Sequence, residues 1–160
     1  MKTTREEAKE ELHDEVVKSL NELLEKNYDA EKGFKKALED AKNPNLRNFF
    51  KQQAVIRSRF KTEIEKELHD LNAHPKLKDR FSTGTLHRVW IDIKTALSRN
   101  DDEAVLEECI RGEKASAKEY EEKLSKGHFP LKVKTILTGQ LHEIKNTIST
   151  VKKLEDIADE

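Results

Sequence analysis

A charged residue stands at the centre of an apolar helix face. Between positions 106 and 124, Leu106, Cys109, Ile110, Ala117, Tyr120 and Leu124 recur at the three-and-four spacing of one side of a helix. Glu113 falls in the middle of that face, three positions after Ile110 and seven before Tyr120. A carboxylate there must be paired with a cation, bound to a metal or protonated. Any fold of this chain must therefore bring a partner or a proton to Glu113. The stretch 20–38 repeats the pattern. Leu20, Asn27, Phe34 and Leu38 precede Leu106, Glu113, Tyr120 and Leu124 by the same 86 positions. The chain thus reads as two related helical halves, each with a polar residue at the matching place.

The rest of the composition favours long helices. Charged residues are 39% of the chain, with only 5 Gly and 3 Pro among 160 residues. That length is read as one domain, 1–160, able to bury a sizeable core. The 31 basic and 32 acidic residues are interspersed, so no strong field is expected to draw nucleic acid or an anionic membrane. Arg47, Arg57 and Arg59 interleave with Phe49, Phe50 and Phe60, but at this spacing the rings face a core, which argues against a nucleic-acid surface. The sole cysteine, Cys109, cannot form an intramolecular disulfide and reads as a small buried hydrophobe. No apolar run is long enough for a bilayer and the first residues are polar, so the expected location is cytoplasmic.

Taken in order, the pattern predicts helices at about 5–41, 45–72, 85–98, 101–125 and 131–157. Thr4 with Glu7 offers a capping box for the first. Its face is Leu12, Val16, Leu20, Leu23, Leu24, Phe34, Leu38 and Ala41, with Asn27 and Glu31 on the same line. Asp29 and Gly33 weaken helix propensity and admit a kink. Asn43-Pro44-Asn45 closes this helix and opens the second. The second carries Leu46, Phe49, Phe50, Phe60, Ile64, Leu68 and Leu71, with Gln53 and Arg57 interrupting the line at its centre. His74-Pro75 to Gly84 reads as a loop. A short amphipathic helix follows, with Leu86, Val89, Trp90, Ile93 and Leu97 on one face. Asn100 to Glu103 makes a break and a new cap, and Gly127 with Pro130 ends the fourth helix. The last carries Val133, Ile136, Leu137, Leu141, Ile144, Ile148, Val151 and Leu154. Gln140 and Thr147 lie on its stripe and Glu143 at the stripe's edge. The acidic tail from Glu155 is expected to fray.

Four long amphipathic helices with two short links imply two antiparallel hairpins. The long connector between the second and third long helices, carrying the short one, is the single crossover of a ferritin-like four-helix bundle. The expected fold is all-α.

The run Gly84-Thr85-Leu86-His87-Arg88-Val89-Trp90, followed by Glu108-Cys109-Ile110-Arg111-Gly112-Glu113 and by Tyr120, resembles an uncharacterised bacterial ferritin-like four-helix-bundle family, a domain of unknown function. Asp29, Gly33 and Phe34 are similar to that family's pattern as well. The resemblance covers nearly all of the chain after the first ten or so residues. It implies the fold, and it singles out His87, Arg88, Trp90, Glu113 and Tyr120 without assigning them an activity.

Ferritin-like di-iron proteins place one Glu on each of two helices and Glu-x-x-His on each of the other two. Laid on this chain through the internal repeat, the single-Glu places fall at Asn27 and Glu113. The paired places fall at Arg57-x-x-Phe60 and Glu143-x-x-Asn146. Neither has a histidine, and an arginine cannot ligate a cation. Glu31, Glu113 and Glu143 are the most that an alternative site for iron or another divalent metal could gather. His13, His69, His74, His87, His128 and His142 are scattered, none on a core stripe beside Glu113.

The expectation is instead a buried polar cluster of Asn27, Glu31, Gln53, Arg57, Glu113, Gln140, Glu143 and Thr147. In it Arg57 turns inward to pair with Glu113, Glu31 or Glu143 serves as a second acceptor, and the amides and Thr147 satisfy what remains. The alternative is an Arg57 that reaches solvent along its alkyl stem. No Ser/His/Asp set, cysteine–histidine pair or phosphate loop accompanies it. The chain reads as a non-enzymatic bundle without cofactor, with an interaction or stress-related role as a homodimer or other homo-oligomer through the short helix and Trp90. The rivals are a metal-binding oxidoreductase or store and a small-molecule binder.

Overall fold

The computed structural model describes residues 3–75 and 85–151, with no account of the side chains of Thr85 and Leu86. Among them are five helices and no strand: α1 Thr4–Asp40, α2 Pro44–Asp70, α3 Thr85–Ser98, α4 Asp102–Lys126 and α5 Leu131–Thr150. The loop expected at 74–84, the last turns expected for the fifth helix and the fraying tail lie, beyond Pro75 and Val151, outside the described residues.

Local chemistry explains the boundaries. Thr3, not Thr4, caps α1, and its partner in the capping box is Glu6 rather than Glu7. The two sets are one residue out of step in sequence, and either satisfies the same orphan N–H groups. Asn43 caps α2 by accepting from the amides of Asn45 and Leu46, with Pro44 in the first turn, where its missing N–H costs nothing. Asp101 caps α4, whose first turn holds Asp102 and Glu103 and whose last holds Lys123 and Lys126, each charge matched to its end of the dipole. Asn72 and Asn100 follow α2 and α3 with positive φ, in the left-handed region that asparagine tolerates at a helix end.

α1 runs as one helix through Asp29 and Gly33. α2 returns along it: Phe34 meets Phe50, Asn27 meets Arg57, and His13 meets Leu71. The pairing of Asn27 with Tyr120 and of Glu22 with Lys123 sets α4 antiparallel to α1. α5 returns along α4 through Tyr120–Gln140 and Glu121–Lys145, and along α2 through Arg59–Glu143 and Asp70–Lys132. α3 lies against α1 and α4. Leu12, expected in the core, is 43% exposed. α1 begins nine residues before His13 meets Leu71 at the C-cap of α2, so among the described residues its first turns have no turn of α2 beside them.

The apolar interior is in two parts. One gathers Phe34, Leu46, Phe50, Val89, Ile93 and Cys109; the other gathers Leu20, Leu23, Phe60, Ile64, Tyr120 and Leu137. On α1 the break between them falls at Asn27, on α2 at Arg57 and on α4 at Glu113, all buried. A polar layer therefore crosses the molecule between two apolar cores.

Candidate functional site

Arg57 is the largest fully buried side chain, 1% exposed. Its Nη2 donates to Glu113 Oε1 at 2.9 Å and its Nη1 donates to Asn27 Oδ1 at 2.9 Å. The helix period sets the guanidinium inward, because Phe50 and Ile64, seven positions to either side, are both fully buried. The alkyl stem therefore does not carry the charge to solvent. Burial of both charges is costly, and each is met by an opposite charge at hydrogen-bond distance.

The bonds continue away from the pair. Asn27 Nδ2 donates to the Leu23 carbonyl at 2.8 Å and to the Tyr120 hydroxyl at 2.9 Å. Tyr120 donates to Gln140 Oε1 at 2.6 Å, and Gln140 Nε2 donates to the Phe60 carbonyl and to Glu63 Oε1. Arg57, Asn27, Tyr120 and Gln140 each donate onward in the same direction, ending on Glu63 as acceptor, which lets each bond polarise the next. The chain links α1, α2, α4 and α5. A guanidinium and two amides interrupt it, and these hold their protons, so it is suited to fixing geometry rather than relaying protons. Burial pushes the Tyr120 hydroxyl up to about 12, which keeps it a neutral donor.

Three residues expected in this cluster lie elsewhere. Glu31 is buried, but Lys35 and Lys61 both bond it at 2.9 Å. Burial raises its carboxyl, and the two lysines more than offset that, leaving it below its ordinary value of 4.5. Glu143 sits at the margin with its side chain 40% exposed, held by both Nη atoms of Arg59. Thr147 is half-buried and donates to the Glu143 carbonyl one turn back. Helix period alone points both toward the cluster. That period fixes a face to within about a third of a turn, and the side of α5 toward α2 takes Gln140 inward and leaves Glu143 at the edge. Gln53 is buried one turn before Arg57 and takes no part in the bonds that hold the pair.

The motif residues divide as well. His87 and Arg88 are exposed, Trp90 is half-buried, and Glu113 and Tyr120 are in the polar layer. The Trp90 ring meets the Phe34 ring edge-on at 5.1 Å between centroids. It also lies over Gly33 so closely that a Cβ there would stand 2.2 Å from the ring, so glycine is required for the approach of α3 to α1. The six histidines are all exposed. Among the described residues no group of three or more His, Cys, Asp or Glu is arranged to hold a metal ion. Cys109 is fully buried, and burial beside Glu113 and Glu108 raises its thiol far above the reactive range, so it stays protonated.

Periodicity did not find the role of the Tyr120 hydroxyl, nor buried Glu67, whose carboxylate lies 3.5 Å from Lys132 on α5. The signal for the first was present. A tyrosine on a core stripe needs a partner for its hydroxyl, and Asn27 and Gln140 lay on the facing stripes.

Fold and site together define an all-helical protein organised around a buried arginine–glutamate layer. The chain belongs to the family described as Domain of unknown function (DUF2383), whose model matches residues 15–126. That span holds Asn27, Arg57, Glu113 and Tyr120 and stops before Gln140. No curated protein matches the chain.

Proposed function

We propose that this chain is a single-domain, cytoplasmic, ferritin-like four-helix bundle without enzymatic activity. In it the Arg57–Glu113 pair takes the place that metal ions hold in the metal-binding members of that fold. Its role is association, first with a second copy of itself. Adjacency supports the bundle: α1, α2, α5 and α4 form a ring of antiparallel neighbours, with α3 in the crossover between the two hairpins.

One observation carries the reading of the centre. A guanidinium 1% exposed lies between Asn27 and Glu113, at the level where the internal repeat aligns the ligand positions. A permanent cation there repels a metal and cannot coordinate it. For the rival metal site, Glu31 would have to leave Lys35 and Lys61, Glu113 would have to leave Arg57, and Glu143 would have to leave Arg59. A second reading, a small-molecule binder, is favoured by a groove of about 220 Å³ between α1 and α3, with Ala37, Trp90, Ile93 and Leu97 among its walls.

The test is metal analysis of protein purified without chelator, repeated after incubation with ferrous iron in air. No stoichiometric metal and no catalysed iron oxidation are expected. A pair of ions bound per chain would replace this reading with that of a carboxylate-bridged metal protein.

A further inference from the structure

The Arg57 guanidinium has a third donor edge. Nη1 is used by Asn27 and Nη2 by Glu113, while no protein atom accepts from Nε, which is buried. A buried N–H beside a permanent charge is unfavourable without an acceptor. Arg57 lines a cavity of about 20 Å³. Arg57, Glu113 and Ser116 are the polar residues along its mostly apolar lining, with Phe34, Trp90 and Ile93 among the apolar ones.

We propose that this cavity is a binding site for one water molecule, which accepts from Arg57 Nε–H and belongs to the polar layer as a structural ligand. Size and chemistry agree. A single water needs roughly 10–15 Å³ of such space and two to four polar partners. Among the lining residues, Arg57 supplies a donor, and the Glu113 carboxylate and the Ser116 hydroxyl supply acceptors. A metal ion would face the guanidinium, an anion would face the carboxylate, and an apolar guest would leave Nε–H unmet. The water serves a donor that the Asn27–Tyr120–Gln140 chain does not reach.

α3 forms part of the wall of the site. Trp90 and Ile93 line both this cavity and the larger groove between α1 and α3. A water held there by the guanidinium and a second polar partner is expected to reside longer than surface hydration water. This inference is independent of the ferritin-like reading, because it depends only on the guanidinium and its immediate walls.

The experiment is water–protein cross-relaxation by NMR on the whole ¹⁵N-labelled chain, read at the Arg57 Nε–H proton. A cross-peak of the sign given by a long-lived bound water is expected there. It should be lost in Ser116→Val, whose methyl groups fill the cavity, while amide shifts in the lower core around Leu20 and Ile64 stay unchanged. No cross-peak in the unmodified protein, or one that persists unaltered in Ser116→Val, overturns the proposal. Should that variant not fold, a high-resolution crystal structure of the unmodified chain decides the matter. Density within about 2.7–3.2 Å of Nε supports the site. A Glu113 carboxylate turned to take both Nε and Nη2, with no density beside them, refutes it.

Discussion

Arg57 and Glu113 show how a buried charge pair is held. Their attraction is offset by the loss of water around both, so the pair need not add net stability. Removing one member is different, because the other is left buried and alone. Arg57→Met is therefore expected to lower unfolding free energy by about 3–5 kcal/mol. Adding Glu113→Gln to it should recover much of that loss, since an amide is far cheaper to bury than a carboxylate. Urea unfolding of the two single variants and the double variant measures this coupling. Effects that simply add would mean that the two side chains do not act as a pair in solution.

At the scale of elements, α3 lies over two glycines and depends on one of them. Gly33 accepts the Trp90 ring, and Gly112 would bring a Cβ to 3.1 Å from Val89. A Gly33→Ala methyl would meet a ring fixed edge-on against Phe34, whereas Val89 has only to yield slightly. Gly33→Ala should accordingly displace α3 despite raising helix propensity in α1. Trp90 is the only tryptophan, so a red-shifted emission and easier quenching by acrylamide report the displacement directly. Gly112→Ala should leave the emission near that of the parent. Equal spectra for both variants and the parent would show that α3 is not seated on Gly33.

For the whole molecule, two carboxylates shift acid stability in opposite directions. Glu31 sits below its ordinary value, so its contribution is complete above 4.5 and is lost as the pH falls through its lower folded value. Glu119 is raised by burial, which outweighs Lys26 and Lys123, so it costs stability at neutral pH and that cost disappears on acidification. Glu119→Gln should therefore stabilise the protein at neutral pH and steepen its loss of stability toward acid. Urea titrations from neutral pH down through the carboxylate range test both signs. The proposed self-association is also tested at this scale. Ile91 is 51% exposed beside half-buried Trp90, and burial of this strip in a dimer is the expected interface. Trp90→Asp should convert that dimer to monomer in light scattering, and a parent chain that stays monomeric at high concentration removes the idea.

Periodicity by itself determined a good deal. Stripes at three-and-four spacing marked the five helices, and their interruptions marked Asn27, Arg57, Glu113 and Gln140 as polar residues with no outward side to turn to. All four are buried. This was legible because a helix face is a local property, written within a few turns of one segment. Tertiary structure alone decided the partners. Glu31, on the same stripe as Asn27, was claimed by Lys61 from the neighbouring helix and by Lys35 one turn on. Glu143, at the stripe's edge, was claimed by Arg59 at the surface. Leu12 lost its place in the core because α1 starts before α2 comes alongside. Which cation reaches which carboxylate depends on how far two helices slide and rotate against each other. Shifts of one residue, about 1.5 Å along the axis and a little over a quarter turn around it, exchange the partners without altering the apolar pattern of either helix.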